Sequence, residues 1–296
     1  VWDGLNSGRQ EERNLDTGLP YMVHDDLVGV TQLATSCYTN LNGVNMVALT
    51  TAGEVLGWGQ NATGGTGLAL NTATWVGFAT QSVAPAAVGD DKVIALIGGG
   101  DSGGKGRSSS YTNNGNTNFH ILEKESESGR RELWGCGVGN TGRLGLPRSG
   151  TGSIDVQRSW IPLSEGTESV EKVFACGYGR GIWYVGVPTA SGPNTLKVAG
   201  ISDDGNLGIG DNNEVMVTAE FIDVPFPEDP MNIVQMVSSG ATTVVLCKDD
   251  PSDLAGRVYV SGYYKFGGYA DQAFGPSGTG RVGGSYPGTQ PVFFSR

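Results

Sequence analysis

Few residues in this chain have the chemistry for catalysis or ligand binding. His24 and His120 are the two histidines among 296 residues. His120 sits in the apolar run Phe119 to Glu123, where a histidine reads as a hydrogen-bonded strand residue, and neither lies in a metal or nucleophile motif. The four cysteines, Cys37, Cys136, Cys176 and Cys247, show no spacing of a zinc site or redox pair. They read as small buried hydrophobes of a chain that folds in a reducing compartment. Carboxylates come in pairs (Asp25 and Asp26, Asp90 and Asp91, Asp203 and Asp204, Asp249 and Asp250). Two carboxylates flanking a glycosidic bond can hydrolyse it. Here the pairs fall among turn residues, where their oxygens accept local backbone amides. The oxygen-rich stretch Asp203 to Glu214 lacks the alternate-position spacing of a calcium loop. The glycine run Gly98 to Ser110 lacks a following helix to present amides to a phosphate. No nucleophile elbow, P-loop or dinucleotide fingerprint occurs. The expectation is a protein that is not an enzyme and uses no metal or cofactor.

What organises these residues is a repeat. The stretch GEVLGWGQNATGGTGL, Gly53 to Leu68, returns as ELWGCGVGNTGRLGL (Glu132 to Leu146), LKVAGISDDGNLGIG (Leu196 to Gly210) and RVYVSGYYKFGG (Arg257 to Gly268). Each copy is an apolar strand running into a glycine-rich turn. The repeat-defining residues are Trp58, Gly59, Asn61, Gly64 and Gly67 in the first copy and Gly137, Gly142 and Gly145 in the second. Gly200, Gly205 and Gly208 mark the third, Gly262 and Gly267 the last. Turn positions with positive φ disfavour any residue carrying a Cβ. A second element recurs upstream at the same period: VTQLATSC from Val30, VIALIGGG from Val93, VEKVFACG from Val170 and IVQMVSSG from Ile233. Two signals sharing one period mark a true repeat.

Between them lies a third apolar run: Asn45 to Thr50, Phe119 to Glu123, Ile182 to Val187 and Thr243 to Lys248. A fourth, looser run precedes the upstream element, as PYMV at Pro20, SVAPAAV at Ser82, SWIPL at Ser159, EFIDV at Glu220 and PVFF at Pro291. Each unit thus holds four short strands bounded by Gly, Asn, Asp, Ser and Pro. A four-stranded unit cannot bury both faces alone, so copies must pack face to face, and a radial ring of such sheets is an all-β β-propeller. The expected organisation is one propeller domain over residues 1–296, with blades at 19–68, 82–146, 158–210 and 219–268. Residues 1–18 close a preceding repeat and 285–296 start a further one. The termini then either meet as a partial blade or belong to a longer chain.

The aromatic strand, the Trp-Gly step at Trp58 and Gly59, the spaced Asn61 and Gly64, the Leu-Gly step at Leu144 and Gly145, and the upstream V-x-x-Φ-Φ-small-small-G together resemble the repeat of the regulator of chromosome condensation family. The resemblance covers roughly residues 20 to 290 and fades in the last copy, where Tyr269 and Ala270 replace the Leu-Gly step. It implies a propeller fold, seven-bladed in the family, where this chain shows four full units. It also implies, as one alternative function, nucleotide exchange on a small GTPase. No segment here matches an exchange wedge residue by residue.

A net charge of −11 and a pI near 4.6 disfavour a phosphate-backbone partner, so nucleic acid is not expected. Arg130 and Arg131, the adjacent basic pair, read as a solvated strand entrance. No apolar run is long enough to span a bilayer. Two candidate binding regions break the repeat. One is an insertion, Asp101 to Asn118, with Lys105, Arg107, Ser109, Tyr111, Asn113 and Asn114 as adaptable polar contacts. The other is an off-pattern aromatic cluster, Tyr263, Tyr264, Phe266 and Tyr269, beside Tyr259, suited to stacking on sugar rings or protein side chains. The expected partners are protein and glycan, within a multi-copy assembly such as a virion tail or fibre used in attachment. A propeller carbohydrate-active enzyme is the remaining alternative.

Overall fold

The computed structural model describes residues 29–36, 45–60, 64–68, 75–81, 92–100, 118–125, 129–138, 142, 144–145, 156–164, 166–175, 181–202, 206–209, 216–217, 220–239 and 242–262. Alternating apolar runs rich in Val, Ile and aromatic residues form antiparallel strands there. The first sheet is β1 (Val30–Ser36), β2 (Asn45–Thr50), β3 (Val55–Gln60) and β4 (Trp75–Gln81), in that order. The second is β5 (Lys92–Gly100), β6 (Asn118–Glu125), β7 (Arg131–Val138) and β8 (Val156–Pro162). The third joins β9 (Glu168–Ala175), β10 (Gly181–Pro188) and β11 (Thr195–Ser202), with β12 (Met216–Val217) and β13 (Ile222–Asp223) both pairing along β11. A 3-10 turn, Pro230–Asn232, leads into the fourth sheet: β14 (Ile233–Ser239), β15 (Thr242–Cys247) and β16 (Arg257–Gly262).

Two of the looser runs belong to the sheet before them, not after them. SWIPL lies in β8, where Pro162 faces Trp134 of β7. Ile222 of EFIDV faces Val198 of β11. The sheets therefore span 30–81, 92–162, 168–223 and 233–262, shifted from the sequence-based units 82–146, 158–210 and 219–268. The reason is that an outermost strand continues the meander from the third strand, and only then does the chain cross to the next inner strand. PYMV, SVAPAAV and PVFF, with segments 1–18 and 285–296, lie outside the described residues.

The chain forms two compact units. One comprises Val1–Gly129, Leu133–Val138 and Ile154–Pro162; the other comprises Arg130–Glu132, Gly139–Ser153 and Leu163–Arg296. Within the first, Ala34, Val47, Leu49 and Val55 of the first sheet pack with Cys136, Trp160, Val93 and Trp134 of the second. Within the other, Trp183, Val185, Leu196 and Val198 of the third sheet pack with Ile233, Val245 and Cys247, and with the partly buried Met236 and Tyr259, of the fourth. The strand register shows these to be the same device. The row Ala34, Val47 and the row Phe174, Trp183, Val198 occupy equivalent places, and each is pressed against the next sheet.

Candidate functional site

The repeat turn shows how the glycines serve the fold. Gly59, Gly137 and Gly200 at the end of the third strands have φ of 100°, 107° and 147°. In the turn beyond, Gly64 and Gly67, Gly142 and Gly145, and Gly208 also adopt positive φ. Gly67 N donates to Gly64 O at 3.1 Å and Gly145 N to Gly142 O at 2.8 Å. Between the glycines stands a fully buried side chain, Thr66, Leu144 or Leu207. The Trp183 Nε1 donates to Leu207 O at 3.2 Å, tying the turn to β10. Trp58 is half-buried, whereas its counterparts Cys136, Ala199 and Ser261 are buried. Asn61, Gly205 and Gly267 lie outside the described residues, and Gly262 closes β16.

The insertion is anchored on a paired hairpin. Gly100 of β5 faces Asn118 of β6, so residues 101–117 leave and re-enter at neighbouring strand ends, and Asn118 itself is the first residue of β6. The same place in the other sheets is bridged by residues 37–44, 176–180 and 240–241. Lys105, Arg107, Ser109, Tyr111, Asn113 and Asn114 lie outside the described residues, as do Tyr263, Tyr264, Phe266 and Tyr269. Tyr259 is described: its ring meets Phe226 edge-on at 5.4 Å, so it is packing. Of the other sequence candidates, His24, Cys37, Cys176 and the acid pairs at 25, 90 and 203 fall outside the described residues. Cys136 and Cys247 are buried.

Sequence reasoning missed the main charged cluster. Arg257 at the start of β16 donates Nε and Nη2 to Glu228 at 2.9 and 2.5 Å, and Nη1 and Nη2 to Asp249 at 2.9 and 2.6 Å. Asn232 Nδ2 adds a bond to Glu228 at 3.0 Å. The guanidinium beside it holds the Glu228 carboxyl down at about 2. Burial, then the bond to Glu228, pushes the Tyr259 phenol up to about 12. Burial, then the Glu228 charge, pushes the Cys247 thiol up to about 12. Close by, Lys172 of β9 donates to Met231 O and Ile233 O at 2.6 and 2.7 Å, clamping the third sheet to the start of the fourth. Burial lowers its pKa.

Arg130 and Arg131 stand at the entrance of β7 with side chains 26% and 37% exposed, and both are also tied into the fold. Arg130 donates to Gly166 O and to Glu132. Arg131 donates to the Glu171 carboxylate at 3.1 Å and to Glu171 O at 3.2 Å, while its backbone N–H donates to Ser169 Oγ. Acceptors on β9 and the turn before it, remote in sequence, draw the two side chains in. A buried carboxylate, Glu168, accepts from the Tyr184 hydroxyl and lies 3.7 Å from Lys197 Nζ. Gly186 makes room for it, since a Cβ there would come within 2.3 Å of Glu168 Oε2. On the fourth sheet Ser238, Thr243 and Ser261 form a buried row of hydroxyls. Its counterpart on the third sheet is Ala175, Ile182 and Ala199. Ser261 donates to Asn206 O at 3.3 Å, and the Ser238 and Thr243 hydroxyls have no hydrogen-bond partner among the described residues.

These groups tie strands and turns together within their unit. Glu228 is anionic at neutral pH, and Tyr259 and Cys247 are protonated, so none of the three is poised to exchange a proton near pH 7. Among the described residues no three His, Cys, Asp or Glu side chains gather as a metal site, and no helix is long and apolar enough to cross a membrane.

No family model and no curated protein matches the sequence. Solved structures do. The chain is an all-β protein of several antiparallel sheets, and its structural neighbours are β-propellers of the type of the regulator of chromosome condensation. Human WBSCR16 is similar over 79% of this chain and 47% of its own, with a TM-score of 0.50 at 18% identity. Yeast RCC1 (Prp20), solved bound to Kap60, matches over 79% of this chain and 56% of its own, with a TM-score of 0.38 at 14% identity. Prp20p from Saccharomyces cerevisiae, in a structure described with its binding to Gsp1p and histones, gives 79%, 57%, 0.40 and 14%. The chain thus spans about half the length of the structures it matches.

Proposed function

We propose that this chain is a non-enzymatic recognition module that works through protein contacts in a multi-copy assembly, of the kind found in a virion tail or fibre, with residues 101–117 as its contact loop. The observation that carries this reading is the β5–β6 hairpin. Its paired ends, Gly100 and Asn118, present a connection far longer than residues 37–44, 176–180 or 240–241 in the same place elsewhere. Loops on a rigid scaffold are where binding residues concentrate, and insertions in repeat folds map to one face. Tyr111, Asn113, Asn114, Ser109, Arg107 and Lys105 supply aromatic area and adaptable polar groups, a mixture common in binding loops. A virion setting is supported by composition, which is rich in Gly, Thr, Asn and Ser and poor in Lys.

Lys105 makes the reading testable. Amine cross-linking of the complex purified from its native source, followed by mass spectrometry, should join Lys105 to another polypeptide. Replacing residues 101–117 with an Asn-Gly turn should abolish that association and leave the melting temperature unchanged. A free monomer of this length in the native source, or an association indifferent to the replacement, overturns it.

A further inference from the structure

The fourth sheet carries buried hydroxyls where the third carries hydrocarbon. Ser238 of β14 faces Thr243 of β15, which in turn faces Ser261 of β16. Residues directly opposite one another in an antiparallel sheet share a face, so these side chains form a single row. Theirs is the face of Met236, Val245 and Tyr259, which packs on the third sheet. Thr243 and Ser261 are fully buried and Ser238 is nearly so. At the equivalent place the third sheet has Ala175, Ile182 and Ala199, and Met46 holds the place of Thr243 in the first. Threonine has the branched shape of isoleucine less one methyl group, so the exchange removes bulk while adding polar atoms.

Those polar atoms need partners. Ser261 donates to Asn206 O at 3.3 Å, on the buried turn that also carries Leu207. The Ser238 and Thr243 hydroxyls have no partner among the described residues. A buried hydroxyl left so forfeits its whole hydration, and buried polar atoms of folded proteins are almost always bonded, to protein or to ordered water.

We propose that this row is a binding site for one buried water molecule, held by the Ser238 and Thr243 hydroxyls beside the turn at Asn206 and Leu207. A buried water takes roughly 2–4 polar partners. Ser238 Oγ and Thr243 Oγ1 supply two, and Ser261 Oγ, its hydrogen spent on Asn206 O, keeps lone pairs for a third. Cross-strand neighbours have Cβ atoms about 5 Å apart, a span that one water bonding at about 2.8 Å to each side bridges. The chemistry selects water over an ion: the row offers no charge to balance one, and each hydroxyl both donates and accepts, as water does. The water ties β14 to β15 and, through Ser261, to the repeat turn of the third sheet. This site is independent of the contact loop proposed above.

Two measurements on the full chain test it. A crystal structure of the wild type, refined finely enough to place ordered waters, should show one peak within about 3 Å of the Ser238 and Thr243 hydroxyls. In urea titrations Thr243→Val, which keeps the shape and removes the hydroxyl, should lower the folding equilibrium constant about tenfold. Ser238→Ala should also lower it, and the double variant should lose less than the two single losses combined, because both hydroxyls hold the same water. If a variant fails to fold, the crystal structure decides by itself. The absence of a peak there, or a peak at the shorter distances of a cation, overturns the proposal. So does a Thr243→Val chain as stable as the wild type or more so, the result of deleting an unpartnered hydroxyl, and so do strictly additive losses.

Discussion

Glu228→Gln should cost stability at neutral pH and cost progressively less in acid. Arg257 lowers the Glu228 carboxyl from 4.5 to about 2. A depressed carboxyl pKa contributes stability that is fully present above the unfolded value, near 4.5, and is lost as the pH falls toward 2. Taken whole, that displacement corresponds to about 3 kcal/mol. The side chains of Glu228 and Arg257 are 15% and 30% exposed, and solvent screening of such a pair leaves about 1–2 kcal/mol. Urea titrations of wild type and variant at pH 7 should differ by that amount, and the difference should shrink between pH 4.5 and pH 2.5. Asp249→Asn is the control. Asp249 accepts from the same guanidinium, but its side chain is 71% exposed, so this variant should match wild type at pH 7. A Glu228→Gln deficit that stays constant down to pH 2.5, or an Asp249→Asn deficit as large, refutes the assignment of Glu228 as the stabilising partner.

Two further outcomes follow from buried groups. Cys247, fully buried with its thiol pushed up to about 12, should resist iodoacetamide at pH 8 in the native chain and react once urea is added. Peptide mapping that finds it alkylated at the rate of a free thiol in the native state contradicts its placement. Gly186→Ala should destabilise by about 2–4 kcal/mol, because the new Cβ displaces the Glu168 carboxylate from its bond to Tyr184 and leaves polar groups buried without partners. Unchanged thermal stability would show that β10 does not hold that carboxylate.

The turn chemistry was legible because it is local. The glycine spacing of Gly59, Gly64 and Gly67 requires backbone that other residues disfavour, and the sequence repeats it. Asp249 and Asp250 show where locality ends. Asp250 accepts from Ser252 N and Oγ at 2.8 and 2.7 Å, the turn role an acidic residue in such a segment suggests. Its neighbour Asp249 reaches Arg257 instead. Glu228, which completes that cluster, precedes the fourth sheet and is brought in by the turn at Pro230–Asn232, with Asp229 capping Met231 N at 2.9 Å. Nothing in the residues around Glu228 announces Arg257. Likewise Gly186 reads as one more strand glycine, and only the fold shows it to be the space Glu168 needs. The sheet boundaries were misread for a related reason: SWIPL and EFIDV lie a short turn from the next inner strand, and sequence proximity cannot say which neighbour a strand pairs with.

The same limit bears on the row Val237, Val244 and Val260 of the fourth sheet. NMVALT, GIWYVGVP and TTVVLC are equivalent second strands, and each carries an apolar residue at the place of Val47, Trp183 or Val244. Repetition makes these rows alike because each blade must offer its neighbour the same kind of surface. Whether a neighbour is present is not encoded in the row. Val47 and Trp183 are fully buried and Val244 is not, although a reader of the sequence would give all three the same environment. A row built for burial yet left exposed costs solubility in a free chain, since contiguous apolar surface promotes association. That cost is removed wherever a second sheet covers the row.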